Sequence, residues 1–255
     1  MATLIANTTA ASPSSSAALA ASSFAALASA LEQQLQAQQI NFSQRTTILL
    51  DLDETLIHSS FEEPEFYSFS LSIPFNEDNY DIFVQVRPGA ENFLKTLCGL
   101  CCNSDDSNPA HNGGYIFDVF IFTASMAEYA IPVMQRIAPW FPSSRVLTRQ
   151  HCTTLQNLNT NSTVVVKDLT IFKDRAISKM VLIDNAIESF LLQPQNGVLV
   201  SAWIGDITDT LLIEDGPGSL IHFLKLCAMS EDVRDVITQA FPEVQDQLQE
   251  MLQGN

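Results

Sequence analysis

A chain of 255 residues, 46% hydrophobic and only 16% charged, can bury a sizeable core in one large domain or two small ones. Asp and Glu number 29 against 12 Lys and Arg, and the net charge of −17 excludes a nucleic-acid binder, because phosphate backbones need a basic face. No run of about 18 strongly apolar residues offers a membrane span, and 5 cysteines, an odd number, do not read as a disulfide framework. The expectation is an intracellular monomer, without a secretory or transit signal.

Residues 1–43 are Ala/Ser-rich and contain no Lys. They read as a disordered tail in which Phe24, Leu27, Leu31 and Leu35 share one side of a short helical stretch. Residues 44–253 read as one folded domain. Ile48-Leu49-Leu50 is a short buried strand, followed at once by Asp51-Leu52-Asp53-Glu54-Thr55-Leu56. Two carboxylates so close raise one another's pKa or hold a cation. Alone, the pair fits a turn, a helix cap or a metal-sugar-nucleotide site equally well.

From Ile57 to Asn79 the chain reads as an irregular or hairpin excursion. Asp81 to Val86 alternates apolar and polar residues as a strand does, and Arg87-Pro88-Gly89 ends it. A helix follows, with Phe93, Leu94, Leu97, Cys98 and Cys101 on one face. Cys98, Cys101, Cys102 and His111 lack the second CxxC or paired His of a zinc site. Residues 103–114 are a polar loop. Tyr115 to Phe122 reads as a central strand interrupted only by Asp118. Ser125 and Glu128 have the spacing of a capping box. The helix they open carries Met126, Ala130, Val133, Met134 and Ile137 as its stripe, and Pro132 should kink it.

Trp140 to Asn161 reads as loop. Val164 to Val166 leads into Lys167, and Met180 to Ile183 is a buried strand ending in Asp184-Asn185. Gly197 to Val200 is a further strand. Gly218 to Met229 and Glu231 to Leu252 read as helices, the second broken at Pro242. Strands alternating with helices imply right-handed βαβ units and a mostly parallel sheet.

In such a sheet the carboxyl ends of the strands share one edge, so Asp51/Asp53, Thr123, Lys167 and Asp184/Asn185 can converge. A carboxylate can attack phosphorus, and a second acid can protonate the leaving oxygen. A lysine and a hydroxyl can neutralise phosphoryl oxygens, and Mg²⁺ takes carboxylate and carbonyl ligands. Singly, each residue has an ordinary reading: a strand threonine, a surface lysine, a capping asparagine.

The ordered segments DLDETL-IHSS, VRPG, FTASMAEYA, RQHC, VKDL, IDN and NGVLVSAW resemble those of the haloacid dehalogenase superfamily. Within it they are similar to the C-terminal-domain phosphatases of the SCP/FCP type, from about Arg45 to Ile237. The resemblance implies an α/β Rossmann-like parallel sheet flanked by helices, with a β-hairpin excursion after the first strand and no large cap domain. It implies a Mg²⁺-dependent protein serine/threonine phosphatase acting through an aspartyl-phosphate on segments such as the RNA polymerase II C-terminal domain. By resemblance Asp51 is the nucleophile, and Asp53 is the general acid/base with its carbonyl on the metal. Thr123 and Lys167 hold phosphate, Asn185 ligates Mg²⁺, and Asp184 beside it is a metal ligand through water or an acid that supports the ligands from behind. Arg149 and Tyr129 face the substrate. Ala186-Ile187 replaces a common Ser-Pro, and the insert 156–163 lengthens the approach to Lys167. The rival readings are a catalytically silent scaffold of the same fold and a capped small-molecule phosphatase.

Overall fold

The computed structural model describes residues 45–75, 78–99, 117–156 and 163–253. The tail 1–43, Cys101, Cys102, His111, the loop 103–114 and residues 157–162 of the insert lie outside the described residues. A five-stranded parallel sheet organises the rest. Its strands are β1 (Thr47–Leu50), β5 (Asp118–Phe122), β6 (Val146–Leu147), β9 (Met180–Asp184) and β10 (Gly197–Leu199), in the order β10-β9-β1-β5-β6. The chain runs outward from β1 to β5 and β6, then returns to the other side of β1 for β9 and β10. The strand order therefore reverses at β1, where open α/β sheets bind ligands.

Period-two alternation makes β1, β5 and β9 the centre. Ile48 pairs in register with Val119 and Val181, and Leu49 with Phe120 and Leu182. Ile48, Leu50, Val119, Ile121, Val181 and Ile183 enter the larger core. Leu49, Phe120, Phe122, Met180 and Leu182 enter a smaller one on the opposite face. Both faces are apolar, as buried parallel strands require.

The larger core is covered by α1 (Ala90–Leu97), α2 (Ala127–Ile137), α3 (Leu220–Met229) and α4 (Val233–Ala240). The smaller is closed by Leu248 of α5 (Pro242–Gln253), with Leu169 and Phe190 from short 3₁₀ turns. Helices thus flank the sheet unevenly. The β9–β10 crossover contains 3₁₀ turns in place of an α-helix, and Gly197 lets it lie close, since a Cβ there would stand 2.4 Å from the Phe190 ring.

The excursion after β1 is a three-stranded antiparallel sheet in the order β2-β4-β3, from β2 (Ile57–Ser60), β3 (Phe69–Phe75) and β4 (Asp78–Val86). The excursion expected from Ile57 as irregular or a hairpin thus forms a sheet with the strand expected from Asp81. The segment from Trp140 to Asn161, expected as loop, holds the edge strand β6 and also β7 (Thr153–Gln156), which pairs antiparallel with β8 (Thr163–Val166). Gln156 and Thr163, the two ends of the insert 156–163, face one another in that pairing. The helix bearing Pro132 continues through it to Ile137, and Pro242 starts α5 as a first-turn proline can. Cys98 is half-buried at the end of α1, and among the described residues no helix is long and apolar enough to cross a membrane.

Candidate active site

The site forms where β1, β5 and β9 end side by side. Asp51 N donates to Ile183 O at 2.9 Å, extending the β1–β9 ladder by one residue, and Thr123 N donates to Leu147 O at 2.9 Å beyond β5. Glu54 adopts φ 59°, in the left-handed region, and turns the chain back so that Leu56 N and Ile57 N both reach Leu52 O. This tight turn fixes Asp51 and Asp53 on the sheet edge. Lys167 arrives from β8, outside the central sheet, so sequence reasoning placed it correctly at the edge but on the wrong sheet.

The two acids occupy different surroundings. Asp51 is buried. Its Oδ1 accepts from Lys167 Nζ at 2.5 Å and its Oδ2 from Thr55 Oγ1 at 3.2 Å. Lys167 Nζ also donates to Asp184 Oδ2 at 2.5 Å, so one ammonium is sealed between two carboxylates. Burial, then Asp184, then Asp53 push the Asp51 carboxyl up to about 8, against the opposing pull of Lys167. Burial alone would lower the Lys167 pKa, but Asp184 and Asp51 raise it, so the lysine stays a cation. Asp51 and Asp184 share one ammonium while Asp53 lies close by, so acidic groups outnumber the cation here.

Asp53 is half-buried and surrounded by hydroxyls. Its Oδ2 accepts from Ser125 Oγ at 2.7 Å and Thr123 Oγ1 at 3.2 Å, and its Oδ1 from Tyr129 Oη at 2.6 Å. Ser59 Oγ lies 2.6 Å from Tyr129 Oη and completes the chain of hydroxyls. Tyr129 is fully buried, which corrects the expectation that it faces the substrate: its phenol points inward because Asp53 and Ser59 satisfy it there. Burial, then the Asp53 charge, raise its pKa well above that of a free phenol.

Ser125 is also corrected. The N-cap of α2 is Met126, with no side-chain cap, and Ser125 turns back to Asp53. Thr55, Ser59 and Ser125 are therefore site residues that sequence reasoning missed. The only signal for them was their place inside DLDETL, IHSS and FTAS.

Asn185 sits beside the pair. The end of its amide that faces inward lies 3.2 Å from Asp51 Oδ2 and 3.1 Å from the Asp53 carbonyl oxygen. One way round, Nδ2 donates to both. The other way round, Nδ2 donates to Glu54 Oε2 at 3.4 Å, and Asn185 Oδ1 faces Asp51 Oδ2 and the Asp53 carbonyl oxygen, with the Thr55 hydroxyl shared between Oδ1 at 3.3 Å and Asp51 Oδ2 at 3.2 Å. That oxygen set, next to surplus negative charge, fits a hard divalent cation. Among the described residues no group of three His, Cys, Asp or Glu side chains could hold a metal, so such a site draws on the amide and the backbone carbonyl. Of the two places expected for Asp184, its contacts fit the supporting acid, because Lys167 occupies its Oδ2 and Ala186 N donates to its Oδ1 at 2.8 Å.

Arg149 Nε donates to Ala124 O at 2.6 Å, which anchors its guanidinium at the turn after β5. His151 caps its own 3₁₀ turn with Thr148 and stays out of the site. Cys152 is close, with Sγ 3.6 Å from Thr123 O, but burial pushes its thiol up to about 11 despite Lys167 and Arg149. It is a thiol at neutral pH and no nucleophile.

The parallel sheet, the reversal at β1 and the acid pair on its carboxyl edge define an α/β protein of the haloacid dehalogenase type. Residues 46–234 match the family described as NLI interacting factor-like phosphatase, and the chain belongs to that family. It is 30% identical over 190 residues to the human CTD small phosphatase-like protein, covering 74% of this chain and 59% of that one. It is 28% identical over 200 residues to the human carboxy-terminal domain RNA polymerase II polypeptide A small phosphatase 1, covering 78% and 66%. The chain spans about half to two thirds of the length of these relatives. The fission yeast RNA polymerase II CTD phosphatase Fcp1 bound to beryllium fluoride aligns over 88% of this chain and 56% of its own, with 18% identity and a TM-score of 0.46. The fold assignment rests on the strand order itself.

Proposed function

We propose that this chain is a Mg²⁺-dependent protein serine/threonine phosphatase that works through a phosphoryl group carried on Asp51. The observation that supports it most is the division of labour within the acid pair. Asp51 is fixed by an ammonium, and Asp53, two residues on, by three hydroxyls. Two neighbouring carboxyls held in unlike environments are what a nucleophile and a general acid/base require.

In this reading an Asp51 oxygen attacks phosphorus, the bond to the serine oxygen breaks, and Asp53 gives that oxygen its proton. Water then attacks the acyl phosphate, Asp53 takes up its proton, and inorganic phosphate leaves with Asp51 restored. Lys167 and the Thr123 hydroxyl lie where they can neutralise the equatorial oxygens. Asp51, the Asp53 carbonyl and Asn185 would hold Mg²⁺, with Asp184 acting on Lys167. The cation supplies the positive charge that keeps Asp51 ionised and offsets the phosphoryl oxygens. Arg149 is proposed to contact the phosphorylated segment. The excursion after β1 is a small sheet rather than a cap domain, which favours a protein substrate over a small molecule. The intact acid pair, Lys167 and Asn185 speak against a silent scaffold. The names of the relatives make the RNA polymerase II C-terminal domain one such substrate, and a nuclear or cytoplasmic setting goes with it.

The test is phosphate release from p-nitrophenyl phosphate with Mg²⁺ or EDTA, together with acid-quench trapping of a hydroxylamine-labile phosphoprotein. Metal-dependent release and trapping, both absent in Asp51→Asn, are expected. Turnover that survives Asp51→Asn would overturn the mechanism.

A further inference from the structure

We propose that the surface beside the acid pair selects phosphoserine and phosphothreonine segments flanked by Lys or Arg and an apolar residue. The proposal rests on the phosphatase reading above and adds the class of substrate. Its first ground is the distribution of charge. Between Arg45 and Arg87 the sequence contains no Lys or Arg and nine Asp or Glu, and between Lys179 and Lys225 no Lys or Arg and six Asp or Glu. These two stretches supply the acid turn, the β2-β4-β3 sheet, β9, and the loop from Ser201 to Ile213. Lys167 is sealed within the site and Arg149 is anchored on Ala124. The phosphoryl group has its own local partners, but the residues on either side of it meet an acidic field. Further phosphates or acidic neighbours are repelled by such a field, and basic ones are drawn in.

The second ground is the shape and polarity of the surface. Trp203 N donates to Glu54 O at 2.7 Å, which pins the 203–207 loop to the acid turn. Gly205, at φ 103°, lies against Gln85, where a Cβ would stand 2.8 Å from Oε1. Gln85 Nε2 in turn donates to Phe66 O at 2.8 Å. Gln85 therefore joins the loop to the segment after β2 in one surface that begins at the catalytic turn. On it Phe66, Ile204 and Ile207 are 70%, 60% and 80% exposed. Glu62, Glu63 and Glu65 precede Phe66 in the chain and Asp206 lies between Ile204 and Ile207, and all four are exposed. Large apolar side chains left in water and rimmed by one sign of charge mark a contact surface. The occupant that satisfies both features, and starts from the acid pair, is the chain flanking the phosphoresidue.

The experiment uses two phosphoserine peptides of equal length, one with Lys and Arg flanking the phosphoserine and one with Glu, assayed with the full chain and Mg²⁺ at low and high salt. The basic peptide is expected to have a kcat/KM at least about tenfold higher at low salt, with the gap narrowing as salt screens it. The double variants Glu62→Lys/Glu63→Lys and Ile204→Ser/Ile207→Ser change exposed residues only. Glu62→Lys/Glu63→Lys should cut that preference to within about threefold, Ile204→Ser/Ile207→Ser should raise KM at least about threefold for a basic peptide that also carries an apolar neighbour, and both should leave p-nitrophenyl phosphate turnover within about twofold of wild type. Equal turnover of the two peptides, preference for the acidic or a multiply phosphorylated peptide, a Glu62→Lys/Glu63→Lys variant that keeps the full preference, or an Ile204→Ser/Ile207→Ser variant with unchanged KM would overturn the proposal. Peptide binding to Asp51→Asn, followed by fluorescence anisotropy, separates the two readings. No p-nitrophenyl phosphate turnover by wild type removes the phosphatase reading, and the anisotropy preference then decides the surface independently.

Discussion

Arg87 gives the sharpest test of how the acid turn is held. It is 1% exposed, at the end of β4. Its Nε donates to Asp209 Oδ1 at 2.8 Å and its Nη2 to Asp209 Oδ2 at 2.7 Å, a two-point pair. Its Nη1 donates to Thr55 O at 3.0 Å, and the Thr55 hydroxyl in turn reaches Asp51. One guanidinium therefore ties β4, the acid turn and the 201–213 loop together. Asp209→Asn keeps the shape but leaves a buried cation facing an amide. Losing one partner of a fully buried pair costs about 3–5 kcal/mol. The Asp209 side chain is 18% exposed, so water can solvate part of the loss and about 2–3 kcal/mol is the better figure. Urea unfolding followed by circular dichroism should show a midpoint about 1 M lower if the slope is about 2–3 kcal/mol/M. Arg87→Met/Asp209→Leu, which removes both charges, should recover most of that loss. Asp209→Asn with wild-type stability, or a double variant worse than the single one, would refute the argument.

Tyr129→Phe should lower turnover of phosphoserine peptides about 10- to 100-fold while p-nitrophenyl phosphate, whose leaving group needs no acid, falls less than about threefold; a leaving-group series measures the difference. Ser125→Ala should show the same split with little change in stability, whereas a true N-cap would cost about 1 kcal/mol and leave kinetics alone. Lys167→Met removes the cation between Asp51 and Asp184 and should reduce kcat/KM by about 10²–10³, measured with a saturating metal. The pH dependence of stability follows from Asp51. A carboxyl whose pKa is raised to about 8 on folding holds its proton longer in the native state than in the unfolded chain. The unfolded chain binds fewer protons between about pH 4 and 8, so stability falls as pH rises through that window. Metal-free protein should lose melting temperature from pH 6 to 8.5, and Mg²⁺ should flatten the curve, because it offsets the charge that burial penalises; scanning fluorimetry with and without EDTA reads both.

Much of this was legible because buried parallel strands announce themselves. Ile48-Leu49-Leu50 and Met180 to Asp184 are apolar runs that end in acids, and the structure buries every residue of both. What failed was information that no local window contains. Val146-Leu147 is too short to read as a strand, and it exists only because β5 offers Ile121 and Phe122 as partners. Arg87 looked like the end of a strand. The acid that neutralises it lies 122 residues away, so burial of its guanidinium could not be inferred from spacing. Ser125 failed for a subtler reason. Ser followed by Glu at the third position is a sound helix-start pattern, and a helix does start there, one residue later. The local rule predicted the element and misassigned the side chain, because the competing partner, Asp53, comes from a strand end 72 residues earlier. Where a good local pattern is overridden by a distant carboxylate, the override itself marks chemistry. At this edge three hydroxyls, from Thr123, Ser125 and Tyr129, converge on one carboxylate, the acid proposed to hold and release a proton.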